Sequence, residues 1–221
     1  MSIIYRTTLV PSKLELITDW LPTRTWYQAT GSRPVLEKAG GFRLDDPEGE
    51  VGLEFMVVTD ASGAEVTPYH IPLTYRGSPL EEGEDALLGT TEHGVLGRRW
   101  VYDGTRDPVL VTQLVALIQG QAQAQAQSES HTPDATVVTR PAVEGGPLAQ
   151  AGLTAVDGVI GTEVQVGLAD GGKLVVRVLR ALAPAVGEGG ELGDYGFVMA
   201  TWRPSPDAPP VRGAIALAEL R

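Results

Sequence analysis

The sequence predicts an α+β fold. It has a mixed helix-and-strand unit over residues 1–127, a linker over 128–135 and a small antiparallel β unit over 136–221. Three observations carry this reading. Residues 51–60 and 68–76 are rich in apolar and β-branched side chains and flank the turn Asp60-Ala61-Ser62-Gly63, the pattern of a hairpin. Two helix starts are marked, by Ser12 with Glu15 and by Asp107 with Pro108. Beyond Gln127 the chain is Gly-rich, reads as strands and shows no helical apolar stripe.

Taken in order, residues 3–10 suit a short strand, and Ser12-Lys13-Leu14-Glu15 forms a capping box. Leu14, Ile17 and Leu21 recur on one helical face beside Leu16 and Trp20, and Pro22 stops the helix. Trp20, Trp26 and Tyr27 could stack on a sugar, but closing the core around this helix is the favoured reading. Residues 40–44 read as a strand and 45–49 as a turn. The acidic group Asp45, Asp46, Glu48 and Glu50 lacks calcium-loop spacing and reads as a solvated turn. Pro68 and Pro72 place two missing N–H donors on one side of their strand, which predicts an edge or an interrupted ladder. His70, between them on the polar face, reads as a surface histidine.

Residues 77–93 form an acidic connection and Gly94–Tyr102 a further strand. Leu110, Leu114, Leu117 and Ile118, widened by Val111 and Val115, give the second helix a packed stripe. The Gln-Ala repeat after Gly120 extends that helix as a projecting, fraying end. In the last part, 136–140, 163–168, 173–182, 195–203 and 211–220 read as strands, with 163–168 and 173–182 joined by Ala169-Asp170-Gly171-Gly172.

Composition narrows the function classes. The net charge is -11, with 17 Lys and Arg against 28 Asp and Glu, so a basic footprint for nucleic acid is missing. With no cysteine there is neither a disulfide framework nor a thiolate metal site. The three histidines are too dispersed for a local metal motif, and no cofactor or metal is expected. The start lacks the apolar stretch of a signal peptide and no run is long enough to span a membrane, so the expected location is cytoplasmic.

The densest set of recognition side chains is Glu92, His93, Arg98, Arg99, Trp100, Tyr102 and Asp103. Glu92 and His93 invite an acid/base reading. Adjacent arginines in a strand with one buried face require an acid, an aromatic ring or a partner for one guanidinium.

The segments IIYRTTLVPSKLELITDWLPTRTWY, GGFRLDDPEGEVGLEFMVV, YHIPLTYRGSPL and GTTEHGVLGRRWVYDGTRDPVLVTQLVALIQG together resemble the N-terminal cap of actinobacterial maltokinases over residues 1–127. The resemblance implies a curved antiparallel sheet with packed helices, set ahead of a sugar-phosphorylating kinase fold. It also implies that residues 136–221 are similar to a degenerate kinase small lobe, with Glu163, Lys173 and Arg177 at nucleotide-site positions. Arg177 stands where such a lobe carries lysine, and a planar guanidinium is not an equivalent phosphate ligand. No His-Gly-Asp segment of a catalytic lobe follows.

The expected role is therefore a non-catalytic accessory protein of α-glucan, trehalose or maltose metabolism. Its implied partner is a sugar kinase or an α-glucan/trehalose enzyme, and Glu92, His93, Arg98, Arg99, Trp100 and Tyr102 are the expected contacts. The alternatives are a sugar-binding module and a nucleotide-binding, sugar-kinase-like enzyme.

Overall fold

The computed structural model describes residues 8–129, 131–143, 150–185 and 192–221. Of the strand expected over 3–10, β1 (Leu9–Val10) is seen and residues 3–7 lie outside the described residues. Next comes α1 (Lys13–Trp20), opened by the predicted capping box. Ser12 Oγ accepts from the Glu15 N–H at 3.3 Å, and the Glu15 carboxylate accepts from the Ser12 N–H at 2.7 Å. Pro22 falls in the 3₁₀ turn Leu21–Thr23 that ends the helix.

β2 (Leu36–Leu44) begins earlier than expected and meets β3 (Gly52–Asp60), which forms the predicted hairpin with β4 (Thr67–Arg76). Between β2 and β3 the acidic turn is not wholly solvated. Asp46 is buried and accepts from the N–H groups of Glu48, Glu50 and Val51, which fixes the turn from within. No group of metal-ligating residues occurs among the described residues.

Part of the expected acidic connection is in fact β5 (Leu87–His93), paired with β6 (Gly97–Asp103). Gly104–Arg106 forms a 3₁₀ turn and α2 (Pro108–Ile118) follows, capped by the Asp107 carboxylate on the Val109 N–H. The Gln-Ala tail does not prolong α2. Gly120 takes a left-handed φ of +71°, the usual helix stop, and β7 (Gln125–Ala126) turns back to pair with β2. Ladder bonds and an Arg43 Nε bond to the Ala126 carbonyl outweigh a weak helical preference that had no apolar face to bury.

The remaining strands are β8 (Val138–Arg140), β9 (Gln150–Asp157), β10 (Gly161–Leu168), β11 (Lys173–Leu179), β12 (Gly196–Trp202) and β13 (Val211–Leu220). The α+β expectation with packed helices is therefore corrected. The described chain is mostly antiparallel sheet, and its two α-helices are only 8 and 11 residues long. Neither is long and apolar enough to cross a membrane.

One sheet runs β1-β5-β6-β4-β3-β2-β12-β13-β11-β10-β9. The prolines of β4 explain how it curls. β6 pairs only with Leu73–Arg76, so the ladder is interrupted on the side of Pro68 and Pro72, one of the two outcomes the prolines predict. The chain leaving β11 fills that gap. The His70 N–H donates to the Arg180 carbonyl at 2.8 Å and the Leu182 N–H to the Pro68 carbonyl at 2.9 Å, around a Tyr69–Ala181 bridge. β4, β3, β2, β12, β13 and β11 thus close into a ring.

The ring wraps a core that draws on both ends of the chain. Phe42 and Phe55, stacked at 4.7 Å, share it with Trp202, Val176 and the buried stripe of α2. On the outer face of β3 and β4, α1 and the following turn bury Ile17, Trp20, Leu21 and Trp26 against Met56, Val58, Tyr69 and Ile71. Trp20 and Trp26 meet edge-on at 5.7 Å inside this second core, as the core reading expects.

Candidate interaction site

The residues singled out in the sequence sit on the β5–β6 hairpin, and pairing register decides which of them act together. Val10 pairs with Glu92 and Glu92 with Arg98, so the three side chains lie in one row across β1, β5 and β6. Arg98 Nε donates to the Glu92 carboxylate at 3.0 Å, and both side chains are exposed. Trp100, half-buried, lies on the same face opposite Thr90.

His93 is not partnered with Glu92. Its Nδ1 accepts from the N–H groups of Val95 and Leu96 at 3.2 and 3.0 Å, which shapes the turn into Gly97 at φ +70°. Burial, with Arg99 nearby, holds its pKa below the ordinary histidine value, consistent with an accepting, unprotonated Nδ1. The acid/base pairing of Glu92 with His93 is thus not formed.

Arg99 donates to the Leu96 carbonyl at 2.9 Å, and its guanidinium lies over Gly77, where a Cβ would stand 2.6 Å from Nη1. Tyr102 is buried and its hydroxyl accepts from the Leu80 N–H at 2.9 Å, so it holds a loop in place. What remains available to a partner is the Glu92–Arg98 pair, Trp100, and the exposed aliphatics Val10, Val95 and Leu96. Sequence reasoning missed those aliphatics, because exposure of an isolated Val or Leu has no local signal.

The three nucleotide-site positions come out divided. Glu163 and Arg177 are cross-strand partners on β10 and β11. Arg177 donates to Glu219 at 2.8 Å and to the Tyr195 hydroxyl at 3.3 Å, and its guanidinium lies 5.6 Å from the Tyr195 ring centre. Its already high pKa rises further, through the Tyr195 hydrogen bond and then the carboxylates of Glu219 and Glu163. Lys173 is exposed at the far end of β11, roughly 13 Å along the strand from Arg177.

Asp103 belongs to the recognition cluster in the sequence, but its partner Arg180 and the buried network around them escaped sequence reasoning. Arg180 and Asp103 form an ion pair, 0% and 1% exposed, that joins the end of β11 to the end of β6. Arg180 Nη2 reaches both Asp103 oxygens at 2.6 and 2.8 Å and Thr105 Oγ1 at 3.1 Å, while Nε reaches Thr162 Oγ1 at 3.0 Å. The guanidinium lies 4.8 Å from the Trp26 ring centre. Nearby, Arg76 makes a two-pronged bond to Asp107, both contacts at 2.7 Å, which locks β4 to the start of α2.

His70 also departs from expectation. It is buried inside the ring rather than exposed, stacks near Phe55 at 6.0 Å and has Nδ1 3.1 Å from the Leu179 carbonyl. Burial, then the Arg180 charge, pull its pKa down to about 3 against the pull of the Leu179 and Ile215 backbone. A third buried centre is Glu54. It accepts from Lys13 Nζ at 2.5 Å, the Tyr75 hydroxyl at 2.6 Å and Gln127 Nε2 at 2.8 Å. Burial opposes its ionisation, but Lys13 and these hydrogen bonds hold the carboxyl below the usual range.

These buried centres hold distant segments together through internal bonds, although His70 Nε2 and Arg180 Nη1 are buried without a hydrogen-bond partner. The arrangement over α1's end, β2–β6 and the Gly104–Arg106 turn is matched by a known family: residues 20–107 fit the family model of the maltokinase N-terminal cap domain. This segment is cap-like. No curated protein matches the chain. The cap-like segment contains the β5–β6 hairpin and Asp103 but not α2, β7 or any strand from β8 onward. Arg180, the partner of Asp103, therefore comes from beyond it.

Proposed function

We propose that the chain is a non-catalytic accessory protein of α-glucan, trehalose or maltose metabolism that docks onto a sugar kinase or a glucan enzyme. The observation that carries this reading is the commitment of Arg177. Placed where a nucleotide-site cation is expected, it is tied to Glu219, Tyr195 and Glu163 within the sheet. A phosphate would have to displace two carboxylates to reach it. The likeness to a cap, a segment that lies ahead of the kinase fold in maltokinases, supports the choice of partner class. Trp20 and Trp26 are buried in the second core, which weighs against a sugar-stacking platform there.

The docking surface in this reading is the Val10–Glu92–Arg98 row with Trp100 and the hairpin tip at Val95 and Leu96. Exposed ion pairs add little to folding, so Arg98→Glu, which sets two exposed carboxylates opposite each other on the hairpin, should lower the thermal transition only slightly while repelling a partner matched to the native row. In an affinity pull-down from the native host, the wild-type chain should recover a sugar kinase or a glucan or trehalose enzyme. Arg98→Glu should recover at least tenfold less. Recovery of no such enzyme, or equal recovery by the variant, would remove this reading.

A further inference from the structure

The connection between β9 and β10 is built from residues ill suited to solvent. Turns are ordinarily made of Gly, Pro, Asn, Asp and Ser, yet here Val159 and Ile160 stand between Gly158 and Gly161. Val159 is 84% exposed, Ile160 71% and Val156, just before them, 63%. Among the described residues, three of the most exposed large aliphatic side chains thus lie within five positions, Val156 near the end of β9 and Val159 and Ile160 on the turn that follows at the tip.

The tip is held rigidly. Asp157 accepts from Thr162 Oγ1 at 2.7 Å and lies 3.5 Å from Arg106 and 3.9 Å from Arg24. Arg106 Nη1 also donates to the Ala155 carbonyl at 3.1 Å, and Thr162 in turn receives the buried Arg180. Arg24 is itself stacked on Trp20 at 5.0 Å. A pre-ordered apolar projection loses little conformational freedom when it is buried, which favours its use as an anchor.

The surroundings narrow the occupant. At the base of the tip two arginines face one aspartate, a local positive excess on a chain of net charge -11. Two copies of so acidic a chain repel, as does an anionic membrane. We infer that the Val159–Ile160 tip is a docking anchor for a different protein, one that offers an apolar pocket with an acidic rim. This site is separate from the β5–β6 hairpin and does not depend on the metabolic role proposed above.

The test places a benzophenone photocrosslinker at position 159 of the full chain, with a control at the exposed Val35, in lysate of the native host. The expected result is an adduct at 159 and not at 35, mapping to an apolar pocket flanked by Asp or Glu. The purified partner should then bind Val159→Ser/Ile160→Ser at least tenfold more weakly, with the thermal transition of the double variant unchanged. Three results would overturn the inference: no 159-specific adduct, an adduct between copies of this chain, or pelleting with phosphatidylcholine vesicles that the double variant abolishes.

Discussion

Asp103→Ala is expected to destabilise the protein by about 3–5 kcal/mol, the cost of stripping one partner from a buried ion pair. Arg180 is fully buried, so without Asp103 its charge would be left to two threonine hydroxyls and the Trp26 ring. Replacing both partners with apolar residues, as in Asp103→Leu/Arg180→Met, should cost much less, because it removes the desolvated charges together. Urea unfolding of Asp103→Leu, Arg180→Met and the double variant forms the cycle that measures this. A loss under 1 kcal/mol for Asp103→Ala would show that the pair does not carry the junction between β6 and β11. Because the pair links the cap-like segment to the later strands, the wild-type curve should show one transition for the whole chain.

Acid should weaken the fold well before its carboxylates protonate. Folded His70 takes up its proton at about pH 3, whereas an ordinary histidine does so near 6.5. Between those values the unfolded chain binds more protons, so stability is full above pH 6.5 and falls as the pH drops. The slope for one such group is about 1.4 kcal/mol per pH unit. Glu54 and Asp60 have carboxyls held below their ordinary 4.5 and 3.8, so their contribution is lost only at lower pH. His93, also lowered, adds in the same direction. The interval from pH 6 to 5 therefore isolates the histidines. His70→Gln should lower stability at neutral pH and flatten most of the slope in that interval, as read by chemical unfolding at a series of pH values. An unchanged slope in that variant would mean that His70 titrates normally in the folded protein.

The outcome at His70 shows why parts of this fold were legible and others were not. Signals carried by neighbouring residues survived intact. The Ser12–Glu15 box, the Asp107 cap and the paired prolines of β4 each act over a few positions. The polar side of β4 looked solvent-facing because alternation reports polarity, and the closed ring covers that side too. The Gln-Ala tail looked helical because propensity is intrinsic, while Gly120 and the part of β2 beyond its Gly40–Trp202 pair, which takes up β7, decided otherwise. Asp103 and Arg180 lie 77 positions apart, and their only local trace is a charge at the end of an apolar run. Within the candidate site, register put Val10 beside Glu92 and Arg98, a juxtaposition that composition cannot express.

The commitment of Arg177 to the sheet is most directly tested by titrating the protein with magnesium and ATP in a calorimeter. A chain whose Arg177 is held by Glu219, Tyr195 and Glu163 should give no binding heat up to millimolar nucleotide. A saturable isotherm that disappears in Arg177→Gln would contradict the account and return the chain to the nucleotide-binding class.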